Sequence, residues 1–223
     1  MDRIAVIIPA KNEAGNISRV IKGVRSHLPE ADIIVVDDNS DDATVEEILL
    51  CEGATLLHSP VSVGIGGAVQ LGVRYALEKG CSIFIRMDGD GQHRAASLES
   101  LLRVGGPGIL VQGSRTGAHF NDSSNWVRHL GSRYFQMLFR VFTKRPVDDP
   151  TSGLMCFDRT IAEKFSRSYP TDYPEIESLV LLLRAGHRVI SSEVPMQARQ
   201  SGSSSIGRWK SMVYVFSVSM AFL

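Results

Sequence analysis

The sequence predicts an α/β fold in which a mainly parallel sheet carries helices on both faces. Short continuous apolar runs, such as Ile4–Ile8 and Ile33–Val36, recur along the chain and are typical of strands buried on both faces. Segments with helical apolar spacing alternate with these runs, which indicates parallel strands joined by crossover helices. The chain has 223 residues, 43% of them hydrophobic, which is enough for a single domain with a sizeable core.

The first half of the chain alternates regularly between strands and helices. We predict strands from its apolar and β-branched runs, at residues 3–9, 33–36, 54–57, 81–87 and 109–111. We predict helices between them, at residues 17–28, 44–51, 62–79 and 93–104. Asn16 is a candidate N-cap of the first helix, Pro29 ends that helix, and Gly80 is a C-cap of the third.

The second half of the chain is less regular. We predict helices at residues 126–142 and 175–184 and strands at residues 154–157 and 187–194. A polar loop at residues 116–124 precedes the first of these helices, and a turn at residues 148–153 precedes the first of these strands. Gly186 ends the later helix, and residues 197–207 are polar.

Composition excludes several classes of protein. The 24 basic and 24 acidic side chains cancel, so no basic field indicates nucleic-acid binding. Cys51, Cys81 and Cys156 are odd in number and widely spaced, which favours reduced thiols in a cytosolic setting. The N-terminus runs directly into a strand, so we expect no signal peptide. No window holds the roughly 20 apolar residues that span a bilayer.

The last stretch of the sequence, Trp209–Leu223, is strongly apolar. Arg208, Trp209 and Lys210 lie at its polar end, which is typical of a segment in a membrane interface. A helix that docks on the core or on a partner would bury the same side chains, and the sequence leaves these alternatives open. We therefore divide the chain into one domain at residues 1–207 and an apolar amphipathic C-terminal segment at residues 208–223.

Two carboxylates one residue apart, Asp88 and Asp90, directly follow a predicted strand. Ligands bind beyond the carboxyl ends of such strands, and Gly89 lets the backbone turn tightly there. Two carboxylates with a nearby amide, that of Gln92, suit Mg²⁺ or Mn²⁺ better than zinc. Asp-Gly pairs also occur in ordinary turns, but the other loops of the chain favour the metal site.

Three acidic or polar loops follow predicted strands: Pro9–Glu13, Asp37–Asp38 and Asp88–Asp90. Because parallel strands bring their carboxyl ends to one edge of a sheet, we expect these loops to converge. An aspartate after the second strand is a common partner of ribose hydroxyls or of a base edge. The glycine-rich residues 64–67 do not follow the first strand, so they do not fit the dinucleotide fingerprint, and the sequence contains no P-loop.

Motifs along nearly the whole chain carry a family resemblance. The first three read Ile8-Pro9-Ala10-Lys11-Asn12-Glu13, Val35-Val36-Asp37-Asp38-Asn39-Ser40 and Met87-Asp88-Gly89-Asp90-Gly91-Gln92-His93. The later ones are Gly113-Ser114-Arg115, Arg128 with Ser132, Asp149-Pro150-Thr151-Ser152-Gly153, and Arg199 with Gly202. The first set resembles family 2 glycosyltransferases with the GT-A fold. The second set resembles their dolichyl-phosphate mannosyltransferase branch and the related bacterial polyprenyl-phosphate glycosyltransferases.

The resemblance implies a role for individual residues. The donor nucleotide would be bound by Pro9, Ala10, Lys11, Asn12, Glu13, Asp37, Asp38, Gly64, Gly67, Asp88 and Gly89. A cation on the donor diphosphate would be bound by Asp88, Asp90 and Gln92. Donor and acceptor phosphates would be bound by Arg115, Arg128, Ser132, Arg199 and Ser203. Asp88, Asp90 and Arg115 would be catalytic, because a cation and a guanidinium stabilise the charge that develops on the leaving diphosphate.

The implied reaction is the inverting transfer of a sugar from a UDP- or GDP-sugar to a polyprenyl phosphate, with Mg²⁺ or Mn²⁺ as cofactor. The stretch Gly202-Ser203-Ser204-Ser205 has serine where that branch has lysine, so a saccharide hydroxyl or soluble acceptor stays open. A hydroxyl acceptor requires a carboxylate base. Glu175 and Glu177 are candidates, although their pattern favours a solvated helix face. A subunit that holds a nucleotide sugar without turnover is a further alternative.

The resemblance also implies partners and a location. The partners are a nucleotide-sugar donor and a polyprenyl phosphate or saccharide acceptor, with no nucleic acid. The C-terminal segment would make peripheral membrane contact or bind a small membrane-protein partner, and a homo-oligomer is compatible with the sequence. We therefore expect a cytoplasmic protein attached peripherally at the inner face of the membrane.

Overall fold

A seven-stranded sheet organises the chain. The computed structural model describes residues 2–116, 126–143, 146–171 and 173–195, with side chains left out at residues 116 and 126–133. The strands are β1 (Ile4–Ala10), β2 (Asp32–Asp37), β3 (Ala54–His58), β4 (Ile83–Arg86), β5 (Ile109–Thr116), β6 (Met155–Asp158) and β7 (Arg188–Pro195). Their order across the sheet is β3-β2-β1-β4-β6-β5-β7.

The sheet is mainly parallel, as the sequence predicts. β1 pairs in parallel with β2 and with β4, β2 pairs in parallel with β3, and β5 with β7. β6 is antiparallel to both β4 and β5, so among the described strands it alone is reversed. β3, β2, β1 and β4 therefore form a continuous parallel half whose carboxyl ends share one edge.

Helices pack on both faces of this sheet. The described ranges contain α1 (Ile17–His27), α2 (Thr44–Leu49), α3 (Gly64–Glu78), α4 (Ser97–Val104), α5 (Trp126–Thr143), α6 (Arg159–Arg167) and α7 (Pro174–Arg184). Among these described helices, none has the length and apolar character that a membrane crossing requires.

Apolar side chains fill the sheet on both sides. Along β1, Ala5 and Ile7 join the core formed with α3, α5, α6 and α7. Val6 and Ile8 join the core formed with α1, α2 and α4. All four side chains are fully buried, as expected of a strand whose residues alternate between two covered faces.

The sequence pattern mispredicts two of the helices. The helix predicted at 93–104 begins only at Ser97, because His93 forms a β-bridge and a turn follows it. The pattern does not reveal α6, which buries only a few apolar side chains between charged ones. Asp158 begins this helix, because its carboxylate accepts a hydrogen bond from the backbone N–H of Ile161 at 3.1 Å.

The three cysteines are buried free thiols, which confirms the prediction of reduced cysteines. Burial raises the pKa of the Cys81 thiol to about 11 and that of the Cys156 thiol to about 12. Both groups therefore stay protonated near neutral pH and pack as small apolar side chains.

The start of α3 packs closely on the segment before α7. A Cβ on Gly66 would overlap the carbonyl oxygen of Pro170 and would lie 2.6 Å from the Cα of Thr171. Only glycine allows the two backbones to approach in this way. The contact fixes the head of α3 against the chain that leads into α7.

Gly66→Ala should lower the free energy of unfolding by about 1–3 kcal/mol, because the added methyl group meets backbone atoms that cannot move aside. Chemical denaturation measures this change. Gly23→Ala in α1 is the matched control, because within the described residues its Cβ would meet only the Cβ of Ala95, at 3.4 Å. The control should be as stable as the wild type or more so, since alanine favours helix. An unchanged stability of Gly66→Ala would contradict the packing described here.

Candidate active site

Three loops meet at the edge of the sheet where β2, β1 and β4 end. The backbone N–H of Met87 donates to the carbonyl of Ile7 at 3.0 Å, so the pairing of β1 with β4 continues beyond β4. A Cβ on Gly89 would lie 3.3 Å from the carbonyl oxygen of Pro9 and 3.6 Å from Cγ of Glu13. The predicted convergence of the loops is confirmed, and Gly89 leaves room for this approach.

Side chains join the loop after β1 to the loop after β2. The backbone N–H of Asn12 donates to Oγ of Ser40 at 2.9 Å, and Oδ1 of Asn12 accepts from the N–H of Asp41 at 3.0 Å. The N–H of Glu13 donates to Oγ1 of Thr44 at 2.8 Å. Asn12 has a φ of 55°, a left-handed conformation that asparagine tolerates better than most residues. These bonds fix the shape of the edge.

Asn16 is the N-cap residue of α1, and its side chain belongs to the same network. Its side chain makes no capping hydrogen bond to the helix. Instead Nδ2 donates to Oε2 of Glu13 at 3.0 Å, and Oδ1 accepts from Nη2 of Arg19 at 3.1 Å. The predicted N-cap position is confirmed, whereas the side-chain capping bond is absent because these two neighbours occupy the amide that would otherwise reach the helix N–H groups.

Asp37 lies fully buried at the end of β2. Its Oδ2 is 2.9 Å from Nδ1 of His58 and accepts from the backbone N–H of Ser40 at 3.2 Å. Within the described part of the chain, Oδ1 of Asp37 has no hydrogen-bond partner. The carboxylate therefore contributes to the fold of the edge, and its bond to a nucleotide stays a prediction.

Asp38 caps α3. Its carboxylate accepts from the backbone N–H groups of Val63 at 2.6 Å and Gly64 at 3.2 Å, and from the hydroxyl of Ser62 at 2.7 Å. Lys11 Nζ donates to the same hydroxyl at 2.9 Å. Free N–H groups and the helix dipole stabilise negative charge at a helix N-terminus. Asp38 thus ties the edge to the head of α3, and its role towards a nucleotide also stays a prediction.

Two glycines predicted to bind the donor lie at this head of α3. Gly64 has a φ of 75°, which glycine adopts without strain. A Cβ on Gly67 would lie 2.9 Å from side-chain carbons of Val63, so glycine keeps the first turn compact.

Asp88 and Asp90 project beyond β4 and remain partly exposed. The side chain of Asp88 is 30% exposed, and Oδ1 of Asp90 accepts from the backbone N–H of Gln92 at 3.0 Å. A Cβ on Gly153 would overlap the carboxylate of Asp88, so this glycine leaves the space that the carboxylate occupies.

This donor set fits a hard divalent cation. Among the residues that the structure describes, no three His, Cys, Asp or Glu side chains form a metal cage made of protein alone. Mg²⁺ sites of phosphate-transferring enzymes typically use one or two carboxylates and take waters and substrate phosphates as the other ligands. Asp88, Asp90 and the amide of Gln92 have the chemistry of such a site.

A buried arginine lies directly behind Asp88. Nη2 of Arg86 is 2.5 Å from Oε1 of Glu175 and 3.4 Å from Oδ1 of Asp88. Burial disfavours the charge, but Glu175, Tyr169 and Asp88 outweigh burial and keep the pKa of Arg86 above its ordinary value. The sequence prediction missed this residue, although a charged side chain inside an apolar strand is itself a signal.

Glu175 is paired with this arginine and does not lie on a solvated helix face. Its side chain is only 18% exposed, in the first turn of α7. The sequence favoured a solvated helix face for Glu175, and this interpretation is wrong. Its partner Arg86 is 89 residues away along the chain, so no local sequence pattern reveals the pairing. Glu177, the other candidate base, is partly buried on the same turn.

His93 lies on the other side of Asp88. Its ring is buried, and Nδ1 is 3.8 Å from Oδ2 of Asp88. Burial lowers the pKa of His93, and the charges of Asp88 and Asp90 offset burial only in part. The imidazole is therefore neutral near pH 7, and its Nδ1 has no hydrogen-bond partner within the described residues.

Arg115 is held near the end of β5 by a bidentate ion pair. Its Nε and Nη2 donate to the two carboxylate oxygens of Asp149 at 2.5 and 2.6 Å, and Nη2 also contacts Oγ1 of Thr151. Asp149 is buried, so the pair fixes the direction of the guanidinium. Sequence analysis did not predict Asp149 as a site residue, because the sequence does not show which cation it faces.

The turn that begins at Asp149 connects the two parts of the site. Asp149 and Thr151 hold Arg115, while Gly153 packs against the carboxylate of Asp88. The charge of Arg115 also contributes to lowering the pKa of His93, which directly follows the acidic loop, Asp88–Gln92, in the chain. The structure thus brings the three predicted catalytic residues to one region.

Several of the predicted acceptor residues, or their side chains, belong to parts of the chain that the structure does not describe. Arg128 and Ser132 belong to α5, but their side chains lie outside the described residues. Arg199, Ser203 and the C-terminal segment also lie outside them. Their roles stay predictions.

Comparisons with known proteins identify similar chains. The sequence model of the family described as Glycosyl transferase family 2 matches residues 5–165. The dolichol-phosphate mannosyltransferase of Mycosarcoma maydis is 30% identical over 220 residues, which cover 91% of this chain and 73% of the relative. The polyprenol monophosphomannose synthase of Mycolicibacterium smegmatis is 28% identical over 215 residues, which cover 92% of this chain and 81% of the relative.

A solved structure shares the fold. It is glucosyl-3-phosphoglycerate synthase from Mycobacterium tuberculosis in complex with Mn²⁺, uridine diphosphate and glucosyl-3-phosphoglycerate. Its TM-score is 0.68 at 22% identity, and the match covers 98% of this chain and 76% of that chain. This likeness shows the GT-A fold that the motifs implied.

Asp38→Ala should destabilise the protein by about 1–2 kcal/mol, because it removes the cap of α3. Thermal unfolding measures the loss. Asp41→Ala, which removes an exposed carboxylate from the same loop, is the control and should unfold at the wild-type temperature. Equal stability of the two variants would contradict the capping role.

Proposed function

Because this chain belongs to glycosyl transferase family 2, we propose that it transfers a sugar from a nucleotide-diphospho-sugar to a polyprenyl phosphate, with inversion at the anomeric carbon. It is a glycosyltransferase of the branch that contains the dolichyl-phosphate mannosyltransferases. The proposed donor is a UDP- or GDP-sugar, and the acceptor carries an undecaprenyl or dolichyl chain. The observation that carries the proposal is the pair Asp88 and Asp90 at the carboxyl edge of the sheet, joined to the anchored Arg115 by the turn that begins at Asp149.

Asp88, Asp90 and the amide of Gln92 are the residues that would hold Mg²⁺ or Mn²⁺ against the donor diphosphate. A cation bound there supplies positive charge for the leaving nucleoside diphosphate. The partial exposure of Asp88 leaves access for phosphate oxygens and water. The Mn²⁺ and uridine diphosphate present together in the complex of the mycobacterial synthase support the same class of ion.

Arg115 stabilises the same developing charge. Asp149 already orients its guanidinium, so little reorganisation is needed as the diphosphate departs. We assign the remaining donor and acceptor phosphates to Arg128, Ser132, Arg199 and Ser203, whose matching motifs motivate the assignment.

The nucleotide is assigned to the loops after β1 and β2. Lys11 and Asn12 are exposed there and offer donors and acceptors to the base and ribose. Asp37 and Asp38 shape this surface through their bonds inside the fold, and Gly64, Gly67 and Gly89 allow close approach. We assign Pro9, Ala10 and Glu13 to the same nucleotide-binding surface.

A phosphate acceptor agrees with the charges of the site. A phosphate monoester is already an anion near neutral pH, so it can attack without a strong base. The carboxylate of Glu175, a candidate base, is instead engaged with Arg86. The names of the fungal and mycobacterial relatives, a dolichol-phosphate mannosyltransferase and a polyprenol monophosphomannose synthase, support the same acceptor class.

A second acceptor class is favoured by one observation. Serines follow Gly202 where the polyprenyl-phosphate branch has a lysine, so one cation for a lipid phosphate is missing. The alternative function is glycosyl transfer to a saccharide hydroxyl or soluble acceptor in polysaccharide or cell-envelope biosynthesis.

The proposed location follows from the lipid acceptor. We place the protein at the cytoplasmic face of the membrane, held peripherally or by a small membrane-protein partner through residues 208–223. In this proposal, residues 1–207 form the catalytic domain.

Asp90→Asn should lower the rate of sugar transfer at least about 100-fold and abolish the response to Mn²⁺, because it removes one of the two carboxylates proposed to bind the cation. Transfer of labelled sugar from UDP- and GDP-sugars to undecaprenyl phosphate measures the rate. Glu99→Gln, in an exposed ion pair on α4, is the control and should react at the wild-type rate.

The same assay distinguishes the acceptors. Labelled lipid from the wild type, with none from a saccharide acceptor, is the expected result. Transfer to a saccharide hydroxyl without lipid would favour the alternative function. Absence of any transfer from common donors would contradict both.

The donor should stabilise the folded protein only together with the cation. We expect one of UDP, GDP and dTDP to raise the melting temperature with Mn²⁺ present, and to raise it much less without Mn²⁺. A screen of the three nucleotides with and without Mn²⁺ measures this. Equal shifts under both conditions would contradict a cation that bridges the carboxylates and the diphosphate.

A further inference from the structure

A buried guanidinium that has no role in the proposed reaction lies next to the loop that carries Asp88 and Asp90. It belongs to Arg86. Arg86 is the last residue of β4 and is fully buried. It lies between two carboxylates that come from distant parts of the chain, Asp88 on the acidic loop and Glu175 on α7. A guanidinium in such a place must be paired, because an unpaired buried charge is strongly unfavourable.

The two carboxylates share this guanidinium unequally. Nη2 of Arg86 is 2.5 Å from Glu175 but 3.4 Å from Asp88. In the part of the chain that the structure describes, Nε and Nη1 of Arg86 have no hydrogen-bond partner. Asp88 and the buried Tyr169 are the neighbours that remain for the guanidinium if Glu175 does not hold it.

We propose that Glu175 is a positioning residue of the acidic loop: it holds Arg86 as its own counter-charge and so leaves the carboxylate of Asp88 available to a divalent cation. This inference rests on the proposed function, because it presupposes a cation at Asp88 and Asp90. The loop keeps its negative charge although a buried arginine lies directly behind it.

The electrostatics give the direction of the effect. With Glu175 present, the charge of Arg86 is compensated by a carboxylate on α7, and the carboxylate of Asp88 is available to the cation. If Glu175 is made neutral, the guanidinium of Arg86 pairs with Asp88 instead. A carboxylate that is paired with a guanidinium binds a cation more weakly. If both Arg86 and Glu175 are made neutral, this competition disappears.

A purely structural role of the pair leads to a different pattern. In that case breaking the pair from either side would loosen the loop, so Arg86→Met alone would weaken Mn²⁺ binding as Glu175→Gln does. The positioning role instead predicts that Arg86→Met alone binds Mn²⁺ within about threefold of the wild type, because no guanidinium then competes for Asp88. The Mn²⁺ affinity of Arg86→Met decides between the two roles.

The experiment is a titration with Mn²⁺, followed by the electron paramagnetic resonance signal of the free ion. It is carried out with whichever of UDP, GDP and dTDP raises the wild-type melting temperature most. Glu175→Gln should weaken Mn²⁺ binding about tenfold or more, and the double variant Arg86→Met with Glu175→Gln should return to within about threefold of the wild type. Glu163→Gln, which breaks an exposed ion pair with Arg159 on α6, should bind as the wild type does.

Each outcome decides the inference. Binding by folded Glu175→Gln within twofold of the wild type would overturn it, as would a double variant no tighter than Glu175→Gln or an Arg86→Met variant as weak as Glu175→Gln. If Glu175→Gln does not fold, Glu175→Asp replaces it and should bind with intermediate affinity, because it keeps the charge but lengthens the pair. Wild-type protein that binds no Mn²⁺ with any nucleotide would overturn the proposed function, and the inference with it.

Discussion

The arrangement of loops at the carboxyl edge of the sheet depends on partners for the aspartates that gather there. Parallel strands β2, β1 and β4 end side by side, and aspartates follow two of them. Asp38 caps α3, Asp37 pairs with His58, and Asp88 lies before the buried Arg86. At each of these places the fold offers the carboxylate N–H groups or a basic side chain. Without these partners, like charges gathered at one edge would oppose folding.

These partners also order the site for its chemistry. Asp38 and the asparagine-linked loops make the edge rigid, while Asp149 fixes Arg115. Asp88 and Asp90 differ from the buried aspartates because they remain partly open, so their charge can act on a ligand. A surface that keeps donors and charges oriented stabilises a departing diphosphate without reorganisation. The packing of Gly66 on the chain before α7 joins this edge to the helix that carries Glu175.

The features predicted correctly from the sequence are those that short-range patterns determine. β1 and β2 are continuous apolar runs, and the convergence of their loops follows from parallel pairing alone. The pattern could not predict the reversed direction of β6, because that direction depends on how the chain returns after α5. It also could not predict α6, because the apolar face of this helix is too short. It also could not give the pairing of Arg86 with Glu175 or of Arg115 with Asp149. Sequence identifies such charged residues one at a time, and only the fold shows which of them meet.

The central claim is that a cation held by Asp88 and Asp90 binds the diphosphate of the donor. Anomalous diffraction from crystals grown with Mn²⁺ and a nucleoside diphosphate tests it most directly. We expect a Mn²⁺ peak about 2.0–2.3 Å from carboxylate oxygens of this pair and in contact with the diphosphate. A nucleotide bound at the edge with no ion on these carboxylates, or an ion and nucleotide bound elsewhere, would contradict the claim.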